Sequence, residues 1–110
     1  MTDETELTFH ERVEADLKEH FGKEAVRSEV ALPTTARRAD IMVETPHGAP
    51  DFAIEVENDW EACVKGHGQA KLYAEQTGAR PFVIVPEGHV EMPEALYLFS
   101  DGVTLVQYPL

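Results

Sequence analysis

Basic residues are scarce in this chain: 9 Lys and Arg stand against 21 Asp and Glu among 110 residues, a formal net charge of −12. Bulk charge therefore opposes nucleic-acid binding, because phosphate contacts normally draw on clustered Lys and Arg. The lone cysteine, Cys63, excludes an intrachain disulfide and leaves a nucleophilic triad without support. His10, His20, His47, His67 and His89 lack the spacing of zinc ligands. No apolar run approaches a membrane span, and the acidic start over 1–6 has no apolar signal region. Together with the single cysteine, this predicts a cytoplasmic protein. Internal repeats and low-complexity tracts are also missing. The length suits one domain over 1–110 with a single core, preceded by an acidic tail at 1–6 that is expected to be disordered.

What is present is a strand, turn, strand, helix pattern in the middle of the chain. Ala39-Asp40-Ile41-Met42-Val43-Glu44 reads as a strand, the Pro- and Gly-bearing stretch 45–51 as a turn, and Phe52-Ala53-Ile54-Glu55-Val56-Glu57 as the returning strand. Strand side chains alternate, so Ile54 and Val56 share one face while Glu55 and Glu57 share the other, about 7 Å apart. If the strands pair as a hairpin, Asp40 can join the face of Glu55, although the register is not set by sequence. Such an oxygen-rich group suits Mg2+, which is typically held by one or two carboxylates plus waters and a substrate phosphate.

A helix is expected over 59–77. Asn58 three before Glu61 has the form of a capping box, and Gly78 is a natural stop. Cys63, His67, Ala70 and Ala74 fall on one face for packing on a sheet, whereas Lys65, Gln69 and Tyr73 form a separate polar stripe. Gly66 and Gly68 each cost a helix about 1 kcal/mol relative to Ala, and so imply a kink or a close approach of backbone. Around this centre the pattern predicts a helix over 7–21 and strands over 25–32 and 81–85. At the C-terminus, runs 96–99 and 103–108 flank Ser100-Asp101-Gly102 and predict a hairpin; the alternative is that Pro93 opens a short helix through Leu98. The class is α/β with a mixed sheet.

In this order the residues resemble the PD-(D/E)xK nuclease superfamily, particularly its small archaeal Holliday-junction-resolvase-like and restriction-endonuclease-like members, over residues 9–86. Asp40 is similar to the first metal-binding carboxylate of that family, Glu55 to the second, and Gln69 with Tyr73 to the Gln-and-aromatic pattern of the following helix. The segment 11–22 resembles the first helix of the resolvases, where a Glu often joins the site, which makes Glu11 a candidate. The resemblance implies a restriction-endonuclease-like fold: a central mixed sheet flanked by helices, with core order α-β-β-β-α-β. It also implies Mg2+ or Mn2+ as cofactor, DNA phosphodiesters as substrate and, for many relatives, a homodimer. The chain departs from the pattern at Glu57, which occupies the usual place of Lys. Some members use Glu there, and in others a Lys migrates to a neighbouring element, for which Lys65 is the candidate.

Each candidate also has a plainer reading. With so many acidic residues, Glu55 and Glu57 also fit a solvated strand face. Thr8 and Glu11 form a capping box, Lys65 can pair with Glu61, and Trp60 fits the edge of a core as well as a base-stacking role. Arg37 and Arg38 before Asp40, with Lys65 and Lys71, are the only visible basic patch for DNA. The low Lys content under this acidity resembles proteins of halophilic archaea; there the Debye length is about 3 Å at 1 M salt, so self-repulsion is small. Three functions fit: a metal-dependent nuclease, a non-catalytic nucleic-acid or protein-binding module of a larger complex, and an acidic halophilic interaction domain.

Overall fold

A computed structural model describes residues 8–31, 38–90 and 94–109. The expected tail at 1–6 and Arg37 lie outside the described residues, as does the side chain of Arg38. Helix α1 (Phe9–Phe21) starts at the capping box: the Glu11 N–H donates to Thr8 Oγ1 at 3.1 Å, and the Thr8 N–H donates to Glu11 Oε1 at 3.0 Å. Two orphan donors of the first turn are thereby satisfied. Strands β1 (Val26–Ala31), β2 (Arg38–Glu44) and β3 (Pro50–Val56) form an antiparallel meander. The turn from β2 to β3 closes through Gly48, whose φ of 81° is costly for a residue with a Cβ.

Helix α2 (Trp60–Thr77) follows, capped by Asp59, which accepts the Ala62 N–H at 2.9 Å. The cap is thus one residue later than the Asn58 box predicts. Gly78 ends the helix in the left-handed conformation, as its position suggests. Strand β4 (Arg80–Pro86) lies parallel to β3, and β5 (Thr104–Tyr108) lies parallel to β4. The sheet order is therefore β1-β2-β3-β4-β5, five strands in a mixed sheet with three helices among the described residues.

Two expectations are corrected. The C-terminal segment is not a hairpin: residues 94–98 form α3 (Glu94–Leu98), and β5 runs parallel to its neighbour. A parallel strand needs a crossover, which α3 and the turn at Ser100-Asp101-Gly102 supply. Tyr73 is not part of a polar stripe; it is 2% exposed and packs with Met42, Ala53 and Ala79.

The sheet is covered on both faces. On one, Val13, Phe9 and Leu17 of α1 meet Ile41, Val43, Ile54, Val56 and Ile84. On the other, Cys63 and Ala70 of α2 meet Val83 and Val85, and Tyr73 meets Ala53. The alternation along β3 sets this division, sending Ile54 and Val56 to α1 and leaving Ala53 and Glu55 under α2. Among the described residues, no helix is long and apolar enough to cross a membrane. Replacing fully buried Ile41 by Ala is expected to lower stability by about 2–5 kcal/mol, and removing the cap with Thr8→Ala by about 1 kcal/mol. Denaturant unfolding measures both.

Candidate metal centre

The pairing of β2 with β3 stops at Ile41↔Ile54, while β2 stays bonded to β1 as far as Ala31↔Arg38 and β3 to β4 as far as Val56↔Ile84. The sheet therefore forks between its second and third strands. Two N–H groups at the fork would lose their ladder partners, and side chains replace them. The Val56 N–H donates to Asp40 Oδ2 at 2.9 Å, and the Asp40 N–H donates to Glu55 Oε2 at 3.2 Å. Each carboxylate thus bridges to the opposite strand. Glu57 lies one step past β3, its N–H donating to the Ile84 carbonyl at 2.9 Å, which keeps it on the face shared with Glu55.

Asp40, Glu55 and Glu57 are brought together: each offers one oxygen, and the three oxygens lie within 4.8 Å of one another. Among the described residues, no Lys or Arg forms a salt bridge with any of them. Glu55 is 2% exposed, and Asp40 and Glu57 are half-buried. Burial first, and then the Asp40 charge, push the Glu55 carboxyl up to about 8. The same two causes, with Asp59 behind them, raise Glu57 to about 7. Asp40 is raised by burial and opposed by its bond from Val56 and the nearby His10. Buried like charges at this spacing disfavour full ionisation unless a cation is added.

The donor set fits a hard divalent cation. An octahedral ion with ligands at about 2.1 Å separates opposed oxygens by about 4.2 Å, close to the spread of these carboxylates. Only oxygen is offered, which suits Mg2+ or Mn2+ over softer metals.

Of the remaining candidates, Lys65 and Gln69 line a groove along α2 with Lys71, Leu72 and Glu75. Lys71 is already paired, donating to Asp101 at 3.1 Å. Glu11 is exposed and engaged in the cap of α1, so its carboxylate is held by Thr8. Glu14 pairs with Lys18 at 2.7 Å. Cys63 is a buried core residue whose thiol is pushed up to about 11 by burial and by Glu57, which keeps it un-ionised.

Two neighbours of the site carry little sequence signal. Glu29 takes φ 50°, a left-handed conformation that is uncommon for a non-glycine residue. The flanking pairs Ser28↔Ile41 and Val30↔Ala39 set it opposite Asp40, and its charge acts on that carboxyl. Beyond this break Val30 and Ala39 pack with Met42 on the α2 face, whereas Val26 packs with Ile41 on the other. No propensity marks such a switch in pleat. His10, half-buried in the first turn of α1, acts electrostatically on Asp40 while standing 3.6 Å from Glu14. Its sequence position alone suggests only a helix surface.

No known protein family, curated protein or solved structure matches this chain. The site is therefore read from its own chemistry.

Raised carboxyl values have a definite consequence for stability. Near pH 4.5 and below, folded and unfolded chains both keep these protons; as pH rises towards 8 the unfolded chain has lost them while the folded chain still binds them. Stability without metal is thus expected to fall between about pH 4.5 and 8 and then level off. Mg2+ should remove most of that decline, bind more tightly as pH rises to about 8, and release protons on binding. Thermal melts against pH in EDTA and in Mg2+ check the first two points, and calorimetry in buffers of differing ionisation enthalpy checks the third.

Proposed function

We propose that this protein is a divalent-metal-dependent nuclease with a restriction-endonuclease-like fold, hydrolysing phosphodiester bonds of DNA. The observation that carries this reading is the convergence of Asp40, Glu55 and Glu57 at the β2–β3 fork, oxygens within 4.8 Å and without a salt bridge to Lys or Arg among the described residues. Support also comes from the element order: helix, three antiparallel strands, helix and parallel strand, with the carboxylates on the second strand and at the end of the third. That order and those positions are what the resemblance to PD-(D/E)xK nucleases implies.

In this reading Asp40 and Glu55 would hold the cation, and Glu57 serves either as a further ligand or as the base that accepts the proton of the attacking water. A carboxyl near 7 is suited to that task, since a general base works best when its pKa lies near the operating pH. Bound between Asp40 and Glu55, Mg2+ would supply polarisation of the phosphodiester and acidification of water. The bonds from Asp40 N–H and Val56 N–H hold the two ligating carboxylates in place before metal arrives. Lys65, Gln69 and Lys71, together along a groove of α2, supply contacts to the phosphate backbone, Lys71 by exchanging its Asp101 partner for phosphate, and Arg37 and Arg38 are the further basic residues the sequence offers. With −12 charges on the chain, high salt of a halophilic kind would screen self-repulsion but also weaken phosphate contacts, so recognition leans on bridging by the cation, on shape or on an additional partner.

One observation favours a second reading. Glu57 stands where the family pattern has Lys, and among the described residues no Lys or Arg forms a salt bridge with the carboxylate cluster to offset charge developing in the transition state. A metal-binding module that binds nucleic acid or protein without cleaving follows from that. The two separate by assay: labelled duplex, junction and single-stranded DNA in high-salt buffer with Mg2+ or Mn2+. Cleavage by wild type is expected, falling at least about a hundredfold in Asp40→Asn and Glu55→Gln and roughly 10²- to 10⁴-fold in Glu57→Gln, all checked for folding. Metal binding without cleavage would select the module, and no metal binding would remove both readings.

A further inference from the structure

Helix α2 carries two interior glycines, Gly66 and Gly68, and both weaken it relative to Ala. Neither has a positive φ, so backbone conformation demands glycine at neither position. Their surroundings differ. A Cβ at Gly68 would have nothing within 4 Å, whereas a Cβ at buried Gly66 would stand 2.5 Å from Glu57 Oε2, 3.0 Å from its Cγ and 3.2 Å from its Cδ. The contact runs from Cγ to the carboxylate oxygen. Rotating the tip of the side chain does not relieve it; the whole carboxylate arm of Glu57 has to move. Its destination matters, because the same arm reaches the oxygens of Asp40 and Glu55.

We propose that Gly66 is a positioning residue of the acidic centre: its missing side chain forms the notch in α2 that holds the Glu57 carboxylate beside Asp40 and Glu55. This rests on the metal-site reading above. Gly66 touches neither metal nor substrate; it acts through Glu57. The helix accepts a propensity penalty at Gly66 because the alternative is a displaced carboxylate, while Gly68 carries the same penalty with no such contact.

The test compares Gly66→Ala and Gly68→Ala, each with Glu57 intact and with Glu57→Ala, by melting temperature in EDTA and by Mn2+ affinity from calorimetry. Gly68→Ala is expected to raise the melting temperature by about 4–8 °C in both backgrounds and to leave Mn2+ affinity unchanged. Gly66→Ala should show that gain in full only with Glu57→Ala. With Glu57 present it should lose the gain and weaken Mn2+ binding roughly 10- to 100-fold, and Glu57→Asp, one methylene shorter, should recover part of the affinity. Equal melting shifts in both backgrounds with unchanged Mn2+ affinity would overturn the role of Gly66 alone. A wild type that binds no Mn2+ would overturn the metal site beneath it, and the melting-temperature cycle would still report whether Gly66 and Glu57 touch.

Discussion

The exchange of hydrogen bonds between carboxylates and backbone across the fork is the constraint on which the rest of this structure depends. Where β2 leaves β3, the N–H groups of Asp40 and Val56 would be stranded inside the sheet, and an unmet buried donor costs about 1–3 kcal/mol. The side chains of Glu55 and Asp40 accept them instead. Two acidic groups are thereby drawn into a half-dry cleft, and Glu57 follows because it is two residues from Glu55 on the same face. One arrangement closes the sheet and builds the site.

That arrangement is held under electrostatic tension. Three carboxyls whose values all rise on burial resist ionisation, and among the described residues no Lys or Arg forms a salt bridge with them. The apolar clusters on both faces keep the cleft from opening, with Ile41 and Ile54 on the α1 side and Tyr73 and Ala53 on the α2 side. Helix α2 is also fastened at a distance. His67 and Lys71 both bond Asp101 in the turn before β5, and these partners pull its carboxyl down to about 2. His67 lies edge-on to Phe99 as well. The helix that presses on Glu57 is thus anchored from both the sheet and the C-terminal turn.

Much of the fold was legible from short-range pattern. The capping box at Thr8 and Glu11, the stop at Gly78 and the alternation of Ile54 and Val56 against Glu55 and Glu57 all carry local physical causes, and each corresponds to an observed boundary or face. Reading failed where a local signal had two solutions. Ser100-Asp101-Gly102 suits a hairpin turn and equally a turn from helix to strand, and only pairing of β5 with β4 decides between them. Tyr73 has a hydroxyl and helical spacing with Lys65 and Gln69, yet the depth of α2 on the sheet buries it. Glu29 gave no sign at all, since its left-handed backbone answers to strands on either side.

By itself the sequence determined which residue types share a face: Glu55 with Glu57 by strand period, Cys63 with Ala70 by helix period, and a surface dominated by negative charge. Tertiary structure alone decided that Asp40 comes opposite Glu55, that Lys65 and Gln69 share a groove along α2 with Lys71, and that Gly66 meets Glu57. The physical reason is that periodicity acts within one element, whereas register and docking depth are set by the fit of several elements at once.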